Sequence, residues 1–106
     1  MDNVIQRIQE QCMTDSEAWF PNNARDLTYM TLAMCGETGE FANVVKKVCR
    51  GSIELQDALP QLREELTDVF IYLMNLSELL KLDLVNAYIQ KREFNLERFG
   101  SRDGSS

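Results

Sequence analysis

Two pairs of carboxylates, Glu37 with Glu40 and Glu65 with Asp68, sit three residues apart in stretches whose apolar residues recur at helical spacing. Side chains three apart on a helix are neighbours on one face. With an advance of about 100° per residue, Met30, Met34, Phe41, Val44, Val45 and Val48 form a single stripe. Glu37 falls in the middle of that stripe and Glu40 at its edge. Downstream, Leu62, Leu66, Val69, Leu73, Leu76 and Leu80 form a second stripe, and Glu65 and Asp68 run along one of its margins. Glu64, by contrast, faces away as a solvated charge should. An ionised carboxylate removed from water without a partner either costs several kcal/mol or takes up a proton. Any one of these acids, taken singly, is better explained by a buried salt bridge or a wet helix margin. Two pairs on the packed sides of adjacent helices favour a divalent cation, the simplest means of holding four carboxylates together. Oxygen-only ligands select Mg²⁺, or Mn²⁺, over zinc.

The chain has no histidine. That excludes Ser-His and Cys-His nucleophile pairs, His-ligated zinc and the Glu-x-x-His di-iron bundle. Any catalysis must run on carboxylates, lysine, arginine and metal.

Other residues are candidates for a supporting part. Lys91, Asn95 and Arg98 follow spacings of four and three and share a face with Leu84 and Tyr88. Such a face suits phosphate oxygens left uncovered by a metal, although basic residues near a helix C-terminus also answer the helix dipole. Trp19 and Phe20 precede a break at Pro21 and have the ring systems to stack on a nucleobase; core or interface packing is the plainer use of such residues. Gly36 and Gly39 flank the first acidic pair inside a helix, where each costs up to about 1 kcal/mol relative to alanine. They predict a close approach, by a neighbouring backbone or a ligand.

The elements that carry these residues are all helical, since strand-type alternation is missing throughout. The first helix is expected from Asp2 to Trp19, with an irregularity near Thr14 to Ser16, and Phe20-Pro21-Asn22-Asn23 ends it. The second is expected from Asp26 to Arg50, with Gly51-Ser52 as its stop. A connection from Ile53 to Leu59 follows, and Pro60 is placed in the first turn of a third helix reaching Leu80. Asp83 caps a fourth helix ending at Phe99 before Gly100. Residues 1–100 thus form one helical domain, and the small, polar residues 101–106 are expected to be disordered.

At 106 residues the chain is a single domain, and a monomer of this size buries only a modest share of its surface, so a partner subunit is in keeping with it. The 44% hydrophobic and 26% charged residues are ordinary globular usage, which argues against disorder. A net charge of −6 has the wrong sign for coating nucleic acid, but leaves room for a small phosphorylated ligand reached through a metal ion. Cys12, Cys35 and Cys49 lack the short spacing of a zinc or redox motif and read as reduced thiols of a cytoplasmic protein. There is neither a run of about 18 apolar residues nor a basic stretch leading into a hydrophobic one at the amino terminus, so no membrane association or export is expected.

With these residues in view, the chain resembles the MazG-like all-α nucleoside triphosphate pyrophosphatases, particularly their dCTP-pyrophosphatase-like branch. The matching motifs are Gly36-Glu37-Thr38-Gly39-Glu40, then Glu65-Leu66-Thr67-Asp68, then Lys91 through Asn95 to Arg98, with positions 41 to 64 separating the acidic pairs. The resemblance covers about Leu27 to Gly100. It implies a four-helix bundle assembled as a dimer or tetramer, with Mg²⁺ held by Glu37, Glu40, Glu65 and Asp68. It also implies hydrolysis of a nucleoside triphosphate to the monophosphate and pyrophosphate, a reaction suited to nucleotide-pool cleansing. Many members carry a further glutamate where this chain has Gly36, a departure that bears on the general base and the metal count, and Glu40 or Glu37 is the candidate for orienting the attacking water. Two rival readings are a phosphoribosyl-ATP pyrophosphohydrolase, which uses acidic motifs of the same kind, and a non-catalytic helical oligomerisation module.

Overall fold

The computed structural model describes residues 3–100, and among them only helices and connecting turns occur. Four helices follow one another: α1 (Val4–Trp19), α2 (Leu27–Cys49), α3 (Leu55–Leu79) and α4 (Leu84–Phe99). The expected tail at 101–106 and the expected helix start at Asp2 lie outside the described residues.

Three of the helix starts are fixed by short polar side chains that take up an otherwise unpaired backbone amide. Asn3 accepts from the Gln6 amide at 3.0 Å, Asp26 from Tyr29 at 3.0 Å and Asp83 from Asn86 at 3.1 Å. Gly51, at φ 83°, ends α2 in a left-handed conformation that costs glycine little, and Lys81, at φ 58°, does the same for α3. The irregularity expected near Thr14 is absent: α1 is continuous, and Thr14 Oγ1 donates to the Glu10 carbonyl at 3.0 Å within the helix.

The third helix departs most from expectation. It begins at Leu55, behind the cap residue Glu54, so Pro60 lies inside the helix and the segment 55–59 is helical rather than a connection. Burial is the reason. Ala58, 1% exposed, packs with Val44 and Leu62, and Phe41, Val45, Val48 and Ile53 close around them. That packing offsets the one helical hydrogen bond that proline forgoes.

Within the chain, α3 is the central element, packed on α2 along one part and on α1 along another. At the α1 side, Met13, Ser16, Met74, Asn75 and Ser77 are buried, joined by Met30 from α2. Gln9, also buried, donates to Glu78 and to the Leu82 carbonyl, each at 3.3 Å. The buried face of α3 is rotated away from the predicted leucine stripe. Leu66, Leu73 and Leu80 are exposed, whereas Ala58, Leu62, Glu65, Val69, Tyr72 and Leu76 line the inner side or its margin.

α4 buries no residue, and it is not among the closely packed helix pairs. The radius of gyration is 17.4 Å, against about 13 Å for a compact chain of this length. No helix among the described residues is long and apolar enough to cross a membrane.

Candidate metal and nucleotide site

Glu37 on α2 faces Glu65 and Asp68 on α3, and one carboxylate oxygen from each lies within 4.8 Å of the others. The placement follows from local structure. Packing Val44 of α2 against Ala58 and Leu62 of α3 sets the two helices side by side. The next inward turns then carry Glu37 from one helix and Glu65 and Asp68 from the other. All three are partly buried.

Among the described residues no lysine or arginine forms an ion pair with any of the three, so the salt-bridge explanation open to the sequence is not the one the chain adopts. Crowding of the three carboxyls favours the protonated form of Glu37. The Glu37 carboxyl is raised to about 7, first by a hydrogen bond with Glu65, then by burial, and then by the charges of Asp68, Glu65 and Glu40. Three carboxyl groups with this spacing offer only oxygen donors, which matches the preference of a hard divalent cation.

Glu40 stands apart. It is exposed and outside the converged group, although its charge is felt at Glu37. The structure therefore gathers three of the four acids within one chain. Around Gly36 and Gly39 the expected close approach is also missing, since an added Cβ would meet nothing within 4 Å at either position. The α2 surface beside Glu40 is open.

The acidic cluster borders a cavity of about 360 Å³. Trp19, Phe20, Tyr29, Ile71 and Tyr72 supply its apolar walls, and Glu37 and Asp68 lie at its edge. Trp19 and Phe20 are thus brought to the acids, and both are more than half exposed, at 67% and 57%. Neither is a core residue. Tyr72 stands between the aromatic and acidic parts, and its phenol is raised by burial first, then by Tyr29 and by the charges of Glu37 and Asp68. Cys12 lines the same cavity, with a thiol raised by burial and by Asp15.

Tyr29, Tyr72 and Asn75 were not singled out by sequence reasoning, yet a signal was there. Asp68, Tyr72 and Asn75 follow steps of four and three, so they continue the face that Glu65 begins.

The predicted phosphate-binding face is placed elsewhere. Lys91 and Arg98 are exposed on α4, with Asn95 half-buried. The Lys91 ammonium lies 5.3 Å from the centre of the Phe94 ring, and the Arg98 guanidinium lies 4.7 Å from the Phe99 ring and 5.6 Å from that of Phe94. Both cations therefore rest on aromatic rings of their own helix. Among the described residues they are not part of the acidic cavity's lining.

A family model described as the MazG nucleotide pyrophosphohydrolase domain matches residues 25–94. The match takes in both acidic pairs and Lys91, and it stops short of Asn95 and Arg98. Gene 37 protein of Mycobacterium phage L5 is 35% identical over 71 residues, a stretch covering 65% of this chain and 60% of the phage protein. The chain thus spans less than two thirds of that relative's length. No solved structure matches the chain.

Proposed function

The chain belongs to the MazG nucleotide pyrophosphohydrolase domain family, and on that premise we propose that it hydrolyses a nucleoside triphosphate with Mg²⁺, giving the monophosphate, pyrophosphate and a proton. The observation that carries this reading is the convergence of Glu37, Glu65 and Asp68 from two helices, without an ion pair to any basic side chain among the described residues, at the edge of an aromatic-walled cavity.

The donor set fits Mg²⁺ or Mn²⁺, being all oxygen in a chain without histidine. Glu37, Glu65 and Asp68 would hold the ion, with Glu40 one turn beyond Glu37 as a further or water-bridged ligand. When bound, the ion supplies charge neutralisation of the phosphates and acidification of a water molecule. Glu40 or Glu37 is the candidate to orient the attacking water and would receive its proton as the anhydride between the α and β phosphates breaks. Trp19 and Phe20 flank the cavity as stacking surfaces for the base.

Lys91, Asn95 and Arg98 complete the phosphate site across a subunit interface in this reading. Support comes from α4, which packs closely on neither α2 nor α3 of its own chain and leaves Tyr88, Ile89, Phe94 and Leu96 exposed. A second copy is further supported by the exposed apolar groove formed by Phe41, Leu59, Leu62, Leu66 and Phe70, about 560 Å³ in volume. A homodimer or homotetramer covers both surfaces.

Pyrophosphate release from a panel of canonical and modified triphosphates and phosphoribosyl-ATP, in Mg²⁺, tests the reading. The parent is expected to turn over at least one of the nucleoside triphosphates, and Glu37→Gln and Asp68→Asn are expected to lose at least roughly a hundredfold in kcat/KM. Full activity in both variants would remove the site, and phosphoribosyl-ATP as the sole substrate would move the assignment to that reaction.

A further inference from the structure

Asn75 lies on α3, 1% exposed, and lines the cavity that carries Trp19, Phe20 and the acidic cluster. Its amide is half satisfied. Nδ2 donates to Ser16 Oγ at 2.9 Å and meets Met30 Sδ at 4.0 Å, whereas Oδ1 has no hydrogen-bond partner. A buried acceptor left unpaired is costly, so native structures almost always supply a partner. Turning the amide over does not cure this, because Oδ1 would then meet Ser16 and the Met30 sulfur, and Nδ2, at the position Oδ1 now holds, would have no acceptor. The contacts of Nδ2 favour the present orientation and leave an unpaired acceptor on a residue that lines the same cavity as Trp19 and Phe20.

We propose that Asn75 is a specificity-determining residue, whose Oδ1 accepts a hydrogen bond from an exocyclic amino group of the nucleobase and so favours amino-bearing bases over their keto counterparts. This rests on the reading of the cavity as a nucleotide site. A keto oxygen at the same ring position sets two acceptors against each other and leaves both desolvated, which is the stronger form of discrimination open to a binding site. Oδ1 is sealed from bulk water, so the base meets it through a modest turn of the amide about χ2, a torsion with a broad energy well. Trp19 and Phe20, more than half exposed at the wall, have room to close over the base.

The chain has a single tryptophan, Trp19, in this cavity, so its fluorescence reports binding directly. Titration with the α,β-imido analogues of dCTP and dUTP, and of ATP and ITP, in Mg²⁺ compares amino with keto forms without turnover. The parent is expected to bind the amino member of at least one pair roughly tenfold tighter or more. In Asn75→Leu that ratio is expected to fall to within about threefold, with the analogues still quenching Trp19. Equal affinity for amino and keto forms in the parent, or an unchanged ratio in a folded Asn75→Leu, overturns the proposal. The parent comparison stands even where the variant does not fold. Amino-selective quenching without pyrophosphate release from any triphosphate would defeat the proposed reaction and keep this inference, and release without selectivity would do the reverse.

Discussion

The Glu37 carboxyl on α2 is hydrogen-bonded with the Glu65 carboxyl on α3, and this bond is the largest cause of the raised Glu37 titration near 7. It forms where the two most extensively packed helices of the chain meet. Hydrophobic contacts at Val44, Ala58 and Leu62 hold those helices together and so force acids into proximity. A proton relieves the resulting repulsion in the metal-free chain, and a divalent cation relieves it more completely. On the proposed reading, the same three groups would link proton binding, metal binding and the stability of the helix pair.

Metal-free protein is expected to lose stability as pH rises from about 4.5 to about 7. Glu37 keeps its proton in the folded chain up to about 7, against the ordinary glutamate value of 4.5 in the unfolded chain. Between those values the folded state binds more protons, so deprotonation favours unfolding. Urea midpoints in the presence of a chelator should fall across that interval, and Glu37→Gln should flatten this part of the profile. A midpoint that rises through the interval in the parent, unaffected by the substitution, would show that Glu37 does not carry the proton.

If Glu37 is a ligand, as proposed, Mg²⁺ is expected to displace that proton. Affinity should climb with pH up to about 7 and then level off, since Glu37 titrates at about 7. Calorimetry at pH 6.5 in two buffers of different ionisation enthalpy should reveal proton release, and at pH 8.5 much less. Glu65→Gln and Asp68→Asn should each weaken Mg²⁺ binding by at least roughly tenfold, and Glu40→Gln by less, because Glu40 is outside the converged group. Equal losses for all three would bring Glu40 into the inner set.

Leu66 is 55% exposed on the rim of the apolar groove, so a charge there leaves the core of the chain untouched. Leu66→Glu is expected to shift the assembly toward monomer in size-exclusion chromatography with light scattering, while the helical dichroism stays at the parent level. Parent protein that runs as a monomer at high concentration would leave the groove without its proposed occupant.

The sequence made the helices legible where a cap residue announced them. Asp83 starts α4 as its side chain predicts, the expected start of α2 at Asp26 falls on its cap, and Gly51 closes α2. Pro60 misled, because a proline marks a helix start only when nothing upstream is worth burying, and Ala58 is. The α3 stripe was drawn through its leucines, whereas α3 packs on two neighbours and turns Leu66 and Leu73 outward. That rotation is why Glu65 and Asp68 lie nearer the packed side than a margin. Asn75 stayed hidden because an asparagine on a helix gives no sign of burial until a partner such as Ser16, distant in sequence, meets it. Assembly is the part that a single chain's pattern leaves open, since an apolar face has the same period whether it covers its own core or another copy's.

Mixing experiments decide whether α4 acts on its own chain's cavity or on another's. Asp68→Asn removes a proposed metal ligand, and the double substitution Lys91→Ala with Arg98→Ala removes both cations from the α4 face. Each assembly made of one variant alone is expected to be nearly inactive. If α4 serves a neighbouring subunit, a mixed dimer has one site lacking both contributions and one site with Asp68 from one chain and intact α4 from the other. Random pairing makes half the dimers mixed, and half of their sites complete, so activity should recover to about a quarter of the parent level after joint unfolding and reassembly. If α4 instead serves its own chain, every site in the mixture lacks one of the two contributions and no recovery occurs. Placement of Lys91 and Arg98 over Phe94 and Phe99, away from the cavity lined by Glu37 and Asp68, favours recovery.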